Sequence, residues 1–468
     1  MKITMNREGL SKIEEQKAKV IGNHPEVLLV SPCKLKEGII QFTLQEQLNL
    51  VDVFDKENFS SCFFIPASGS GSRMFQFLFD FLETPNEQNR SSVEKFLNHI
   101  SEFAFYQQLP VEIRHKLKDI DVDLDTFVSF LLNADGMGYG DLPKGLIPFH
   151  KNTPFILNPF QEHVLQGVRV KEKDVSFHFT IQLKYIKAIK KVISQIKGLT
   201  GQNYKVSFSD QDSDSDSIAF TNNGEPVKLE NGQVLKRPAG HGALLENINK
   251  INCDYIFIKN IDNVQHFLKS ESSIFTWKVL GGVLIDYRRE AKQLYDNPSI
   301  IGLQKLNERF QLFDKKMIEN LNNEEIKEIL NRPTRACGMV RNDGQPGGGP
   351  FWVDDNGMIS KQIIEKSQIT MKGKQYSLMV QSTYFNPVMI VVSTQDLNGN
   401  KFDLHNYKDD SKFFIVRKKY KGQDVQFIEL PGLWNGSMSN WNSLFIEIPT
   451  ETFSPVKTVL DLLNYDHK

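Results

Sequence analysis

The chain has 468 residues, of which 40% are hydrophobic and 24% charged, a composition typical of a globular protein of roughly two or three domains. Lysine and arginine number 56 and aspartate and glutamate 57, so the net charge of −1 favours neither a nucleic-acid partner nor a membrane partner. The four cysteines lie far apart, no apolar run of about 18 residues occurs, and the charged N-terminus lacks a signal-peptide core, so we expect a cytoplasmic protein without structural zinc, disulfides or a membrane span.

The first half of the chain begins with a mixed N-terminal cap and continues into an α/β pattern. Residues 1–60 form the predicted cap, with an amphipathic helix over 11–20 and a strand around 39–44. The apolar run 62–66 is typical of a buried parallel strand, and a loop of small residues and a helix follow it. Apolar residues then recur at helical spacing, which predicts a helical insertion over residues 88–134.

Strands and helices alternate beyond the insertion, which predicts an α/β domain with a mixed, mostly parallel sheet. The predicted strands are 175–180, 204–209 and 255–259, and the predicted helices are 159–168, 183–196, 243–250 and a block over 278–330. Residues 331–350 look loop-rich, Asp355-Asn356-Gly357 indicates a hairpin, and a short helix is expected near 456–463. We therefore predict an α/β core over 61–400 and a C-terminal α+β portion over 401–468.

A loop of small residues, Ser68-Gly69-Ser70-Gly71-Ser72, lies between the buried strand and its helix. Backbone N–H groups at such a place suit a phosphate. The loop is not a Walker A motif, because no Gly-Lys-Ser/Thr follows, and Met74 occupies the third glycine position of a Rossmann fingerprint. Arg73 adds a cation that can bind phosphate through two bonds. A glycine-rich turn with a surface arginine is the equally weighted alternative.

Three further segments carry candidate binding residues. Lys144 lies between Pro143 and Pro148, where it either reaches a phosphate or is a solvated loop lysine. The small residues 240–242, Gly-His-Gly, precede a predicted helix and would let a base or phosphate approach the backbone, whereas His241 taken alone is more often a structural or surface histidine. Asp262 follows a buried strand, where it would bind Mg²⁺ together with substrate phosphates, or where Asp262 and Asn263 would cap the next helix.

The acidic run 210–216 is similar to the first half of a calcium-binding EF-hand loop. Counted from Asp212, however, the sixth position holds Ser217 and the twelfth Asn223, where the motif needs Gly and Glu. We therefore interpret the run as a solvated loop in which Gln211 turns inward.

Taken in order, these motifs resemble those of the UDP-sugar pyrophosphorylases, which belong to the nucleotide-diphospho-sugar transferase superfamily. Residues 69–74 are similar to its nucleotide loop, and 143–148 to its phosphate-binding lysine motif. Residues 238–243 resemble its Pro-Gly-Gly-His-Gly segment against uracil, and 260–263 its Asn-x-Asp-Asn segment. Weaker matches are 364–369, similar to a segment near the sugar, and 453–463, similar to a Pro-Val-Lys motif. The whole chain, with Gly-Gly-Gly-Pro-Phe-Trp at 347–352, resembles the family called domain of unknown function 4301.

The resemblance implies a glycosyltransferase-A-like three-layer α/β/α fold and a nucleotidyltransferase. Its substrates would be a nucleoside triphosphate, with UTP expected, and a sugar 1-phosphate, and its products a nucleotide sugar and pyrophosphate. The implied roles are as follows: catalysis by Arg73, Lys144 and Lys457; nucleotide binding by Ser68, Gly69, Ser70, Gly71, Ser72, Gln211, Gly240, His241 and Gly242; sugar binding by Asn260 and Glu365; and Mg²⁺ binding by Asp262.

Two departures from that family's pattern keep alternative functions open. Ser68, Ser70 and Ser72 replace several of its loop residues, and about seventy residues separate Arg73 from Lys144, where the family has a short connection. A non-catalytic nucleotide or nucleotide-sugar binding protein, or a glycosyltransferase on the same fold, is therefore the alternative interpretation.

Overall fold

The computed structural model describes residues 7–22, 26–118, 123–210, 216–237, 244–342, 344, 347–370, 372–433 and 436–468. Its helices are α1 (Arg7–Ile21), α2 (Leu44–Lys56), α3 (Gln76–Glu83), α4 (Glu87–Asn98), α5 (Val111–Lys118), α6 (Leu124–Leu132), α7 (Pro159–Val170), α8 (Ile186–Thr200), α9 (Leu244–Asn249), α10 (Glu271–Asp296), α11 (Ile300–Phe310), α12 (Asn323–Leu330) and α13 (Gly373–Val380). Its strands are β1 (Leu28–Pro32), β2 (Lys34–Leu35), β3 (Gly38–Ile40), β4 (Ser61–Pro66), β5 (His150–Asn152), β6 (Phe155–Leu157), β7 (Val175–Thr180), β8 (Lys205–Ser209), β9 (Ser217–Ile218), β10 (Lys236–Arg237), β11 (Tyr255–Ile258), β12 (Thr334–Arg341), β13 (Gly349–Asp355), β14 (Met358–Ile364), β15 (Tyr384–Phe385), β16 (Ile390–Ser393), β17 (Phe414–Tyr420), β18 (Gln423–Glu429) and β19 (Asn442–Glu447).

The chain forms two compact units, each assembled from three separate stretches. Unit 1 contains Met1–Phe59, Gln211–Ile256 and Val279–Ile448, and unit 2 contains Ser60–Asp210, Phe257–Lys278 and Pro449–Lys468. The fold is mixed α/β with a mostly parallel central sheet, as the alternation of strands and helices predicts. The predicted domains, 1–60, 61–400 and 401–468, stay a prediction.

In unit 2 the strands β4, β7 and β8 are adjacent in that order and run parallel, and the part of β11 that belongs to this unit, Phe257 and Ile258, lies on the other side of β4. Helix α7 begins with an Asn158–Gln161 capping box and Pro159 in its first turn, both typical start signals. It packs closely on the sheet, because a Cβ on Gly167 would lie 2.5 Å from the ring of Phe177. The small-residue loop follows β4, and residues 259–263 follow β11, so both segments leave the sheet at the ends of these strands.

The predicted helical insertion lies in unit 2 and consists of α4, α5 and α6 with short 3₁₀ turns between them. Its apolar side chains join those of α3 and of the C-terminal segment, which we define as residues 449–468, in one buried cluster. The members of that cluster include Phe75, Leu78, Phe96, Phe105, Val128, Leu131, Val456, Val459 and Leu462. The insertion is thus part of the core of unit 2 and not an appendage.

In unit 1 a second set of strands has the order β2-β3-β19-β12-β16. Strand β19 is parallel to both β3 and β12, whereas β16 is antiparallel to β12. A separate antiparallel sheet, β1-β13-β14, contains the predicted hairpin, in which Asn356 and Gly357 have the positive φ values of 54° and 89° that such a turn requires.

Two local predictions are wrong for identifiable reasons. Residues 331–350 were expected to be loop-rich, but β12 crosses this stretch, and the fully buried Arg335 interrupts the apolar run that would have revealed it. The strand expected around 39–44 ends at Ile40, because Thr43 and Glu46 form a capping box that starts α2. Among the described residues, no helix combines the length and the apolar character needed to cross a membrane.

Candidate functional site

The small-residue loop leaves β4 and is held against the segment that carries Lys144. The Gly71 N–H donates to Leu142 O (2.9 Å), and the Lys144 N–H donates to Gly69 O (3.1 Å). Gly71 is buried, and a Cβ there would lie 2.4 Å from Ile147 Cδ1, whereas a Cβ on the exposed Gly69 would meet nothing within 4 Å. A side chain at position 71, unlike one at position 69, would therefore obstruct the close approach of the two segments.

The serines of the loop shape its path into a 3₁₀ turn, Ser72–Phe75, that precedes α3. The Ser70 hydroxyl accepts from the Ser72 N–H (3.1 Å), and Gln182 donates to the Ser68 carbonyl (2.7 Å). Arg73 is exposed in this turn. The predicted strand, loop and helix are all present, although the helix starts with this 3₁₀ turn.

Lys144 lies in a second 3₁₀ turn, Lys144–Leu146, and its ammonium group points into unit 2. Its Nζ donates to Val456 O (2.8 Å) and lies 3.1 Å from Asp262 Oδ2. Gly145 allows this path, since a Cβ there would lie 2.5 Å from the ring of Phe160. Burial lowers the pKa of Lys144, and the nearby Asp262 carboxylate opposes that effect. Lys144 is therefore not the solvated loop lysine of the alternative interpretation.

The Asp262 carboxylate also accepts a hydrogen bond from a second ammonium group, that of Lys457. The Lys457 Nζ lies 3.3 Å from Asp262 Oδ2, and the side chain of Lys457 is 57% exposed. Burial alone would raise the pKa of Asp262, but Lys144 and Lys457 outweigh it and lower the pKa below the usual value. Two cations and one carboxylate leave one surplus positive charge beside the small-residue loop, which suits an anion.

The C-terminal segment aligns this cluster through its backbone. The Val456 N–H donates to Asp262 O (2.9 Å), and the Ser454 N–H donates to the Asn263 side chain (3.0 Å). Asn263 thus binds the C-terminal segment and does not cap a helix, because α10 starts only at Glu271. The contribution of Val456 is made by a backbone carbonyl, for which the sequence contains no signal.

The other predicted site residues fall into three groups. Asn260 lies in unit 2 and is half-buried, and its carbonyl accepts from the Asn263 N–H (3.1 Å). Glu365 belongs to unit 1, where it follows β14 and its N–H donates to Gln368 (3.0 Å). The third group lies outside the described residues: Gln211, Gly240, His241 and Gly242.

Two buried side chains near the cluster were not predicted. His163 of α7 bonds to Ile261 O (3.2 Å), and burial lowers its pKa to about 3. Lys259 follows β11, is 3% exposed, and its Nζ has no hydrogen-bond partner among the described residues. Burial lowers the pKa of Lys259 to about 7. A single charged residue next to an apolar strand gives too little sequence signal to predict this burial.

The donor set available to a metal ion is small. Across the described parts of the chain, no three His, Cys, Asp or Glu side chains are grouped so that they could hold a metal. Asp262 is the carboxylate in the cluster, and both lysines contact its Oδ2. One carboxylate with substrate phosphates is a donor set that Mg²⁺ accepts, so Asp262 fits a Mg²⁺ ion that a phosphorylated ligand helps to bind.

Comparisons with known proteins identify a family. The model of the family described as Domain of unknown function (DUF4301) matches residues 1–468. No curated protein matches the chain. Similar solved structures include a UDP-glucose phosphorylase from Trypanosoma brucei, with 13% identity, a TM-score of 0.44, and 98% of this chain and 73% of that chain covered. Another is a putative UDP-N-acetylglucosamine pyrophosphorylase from Entamoeba histolytica, with 12% identity, a TM-score of 0.43, and 91% and 82% covered.

Proposed function

Since the chain belongs to the DUF4301 family, we propose its function from the residues of unit 2: it is a nucleotidyltransferase. It joins a nucleoside triphosphate, with UTP as the first candidate, to a sugar 1-phosphate and releases pyrophosphate. The observation that carries the proposal is the meeting of Lys144 and Lys457 at Asp262 beside the small-residue loop. These three residues come from separate motifs, each of which resembles a motif of the UDP-sugar pyrophosphorylases.

The chemistry of this reaction suits such a cluster. The attacking group is a phosphate oxygen, which is already anionic near neutral pH, so no dedicated general base is needed. Catalysis then consists of aligning the two phosphates and neutralising charge as the bond to pyrophosphate breaks. Lys144 and Lys457 would bind phosphate oxygens, while the exposed Arg73 would neutralise the leaving pyrophosphate.

The proposal includes a Mg²⁺ ion, with Asp262 as its protein ligand. The ion would supply further neutralisation of the triphosphate charge. Asp262 would hold it through a carboxylate whose pKa the two lysines already keep low, so the group is ionised at neutral pH.

The remaining assignments of the proposal rest on the resemblance to the UDP-sugar pyrophosphorylases alone. The loop residues 68–72, together with Gln211 and residues 240–242, would bind the nucleotide, and Asn260 and Glu365 would bind the sugar. The alternatives are a non-catalytic binding protein for a nucleotide or nucleotide sugar, and a glycosyltransferase. The pairing of two lysines with Arg73 favours a triphosphate substrate over the diphosphate donor of a glycosyltransferase.

The test is the release of pyrophosphate, with Mg²⁺ present, over a matrix of nucleoside triphosphates and sugar 1-phosphates. We expect release only when both substrates are present, and a loss of at least a hundredfold in Asp262→Asn. Lys173→Met, which removes an exposed lysine from a turn of the same unit, is the matched control and should be fully active. If no pair of substrates gives pyrophosphate, the proposal fails and the binding-protein and glycosyltransferase alternatives take its place.

A further inference from the structure

A row of buried hydrogen bonds joins the end of the C-terminal segment to the body of unit 2. His467 Nδ1 lies 2.9 Å from His150 Nε2, and His150 Nδ1 lies 2.7 Å from Glu162 Oε1. Glu162 and His150 are fully buried, and His467 is 4% exposed. We call Glu162, His150 and His467 the buried relay.

The segment that the relay holds is the one that completes the candidate site. Ten positions before His467, Lys457 contacts Asp262, and the preceding Val456 carbonyl accepts from Lys144. The two parts of the segment are tied together, because Ser454 Oγ donates to Asp466 Oδ2 (2.9 Å). A displacement of His467 would therefore be transmitted to Val456 and Lys457.

The relay differs from the terminal ion pair of the segment in its burial. The Lys468–Glu102 ion pair has side chains that are 47% and 40% exposed, and such pairs contribute little to stability. Because His150 is fully buried, removing His467 would leave one of its ring nitrogens unsatisfied. The relay is thus one of the buried contacts that hold the segment, together with the apolar side chains of Val456, Val459 and Leu462.

We propose that His467 is a positioning residue, which acts through His150 and Glu162 to hold the C-terminal segment so that Lys457 and the Val456 carbonyl stay at the Lys144–Asp262 pair. The inference rests on the proposed function only in that Lys457 serves the anion site; the attachment of the segment is independent of it. Glu162 orients the ring of His150, and His150 in turn fixes the ring of His467.

The first experiment needs no ligand. His467→Leu removes the hydrogen bond at similar volume, whereas His467→Asn places an amide atom near the position of Nδ1. Hydrogen exchange of the Val456 amide, which donates to Asp262 O, should be about tenfold faster in His467→Leu and near the wild-type rate in His467→Asn. Exchange in β7 should be unchanged in both variants, which would show that the unit is folded. Unchanged protection of Val456 in a folded His467→Leu variant would overturn the proposal.

The second experiment is a double-mutant cycle with pyrophosphate as the probe, measured by calorimetry. We expect His467→Leu to weaken pyrophosphate binding about tenfold in the wild-type background and to have little effect in the Lys457→Ala background. Equal losses in both backgrounds would show that His467 does not act through Lys457 and would overturn the proposal. His178→Asn is the control, because His178 bonds to Ser207 and Ser209 of β8 and should not change binding. If the wild-type chain binds no pyrophosphate, the anion site fails, and the exchange experiment still decides whether the relay holds the segment.

Discussion

Substitutions of the lysines and of Asp262 should have opposite effects on anion binding. The contacts among these residues set the expected size of each effect. The Lys144 Nζ lies 3.1 Å from Asp262 Oδ2, and the Lys457 Nζ lies 3.3 Å from it, so the carboxylate competes with any bound phosphate for both ammonium groups. Lys144→Met removes one charge-assisted hydrogen bond of about 1.5–3 kcal/mol, which corresponds to a loss of about ten- to hundredfold in pyrophosphate affinity. Asp262→Asn removes the competitor, so the affinity should stay equal or rise.

The assay is calorimetric titration with pyrophosphate at pH 7 in a buffer with a chelator, so that no metal contributes. Lys173→Met serves again as the exposed-lysine control and should bind like the wild type. The reasoning is refuted if Lys144→Met binds pyrophosphate as tightly as the control. It is also refuted if Asp262→Asn loses as much affinity as Lys144→Met, because the carboxylate would then contribute to anion binding instead of opposing it.

Three further predictions use other parts of unit 2. Gly71→Ala should weaken pyrophosphate binding and cost about 1–3 kcal/mol of stability in a denaturant titration, because its Cβ would lie 2.4 Å from Ile147 Cδ1 and 3.0 Å from the backbone oxygen of Leu142, whereas Gly69→Ala should change neither. Burial lowers the pKa of His467 to about 4, so its contribution to stability is complete above pH 6.5 and is lost as the pH falls toward 4. Unfolding free energies measured over that range should depend less steeply on pH in His467→Asn, by about 1 kcal/mol per pH unit, and an unchanged slope would contradict this assignment. Lys259→Met should raise the unfolding free energy by about 1–3 kcal/mol at pH 7, since it removes a buried amine that has no hydrogen-bond partner among the described residues, and a loss of stability would show that the amine is satisfied.

The sequence was sufficient to predict those elements whose pattern is local. Strands β4 and β7 are short apolar runs with aromatic residues, and the Asn-Gly hairpin requires a specific backbone conformation. Strand β12 was missed because the fully buried Arg335 looks, in sequence, like a surface residue. The start of α2 could have been found, since Thr43 and Glu46 have the spacing of a capping box.

The candidate site was predictable only in part. Lys144, Asp262 and Lys457 were predicted as separate motifs, and the order of those motifs was the only sign that they would meet. The contribution of the Val456 carbonyl and the buried relay depend on contacts between residues far apart in the chain, and single polar residues such as His150 carry no pattern. Periodicity predicts elements, whereas such contacts depend on the tertiary arrangement of the chain.

The assembly of unit 2 from three stretches has a consequence for how the protein is made. Lys144 and Asp262 are 118 positions apart, and Lys144 and Val456 are 312 apart. During synthesis the strands β4, β7 and β8 leave the ribosome long before residues 456 and 457, and domains generally fold as units while the chain emerges. After Asp262, 195 positions are added before Lys457 is reached, so Lys144 and Asp262 lack Lys457 over that part of translation. A ribosome that stalls after Ile448 would leave a nascent chain with both of these residues and without Lys457.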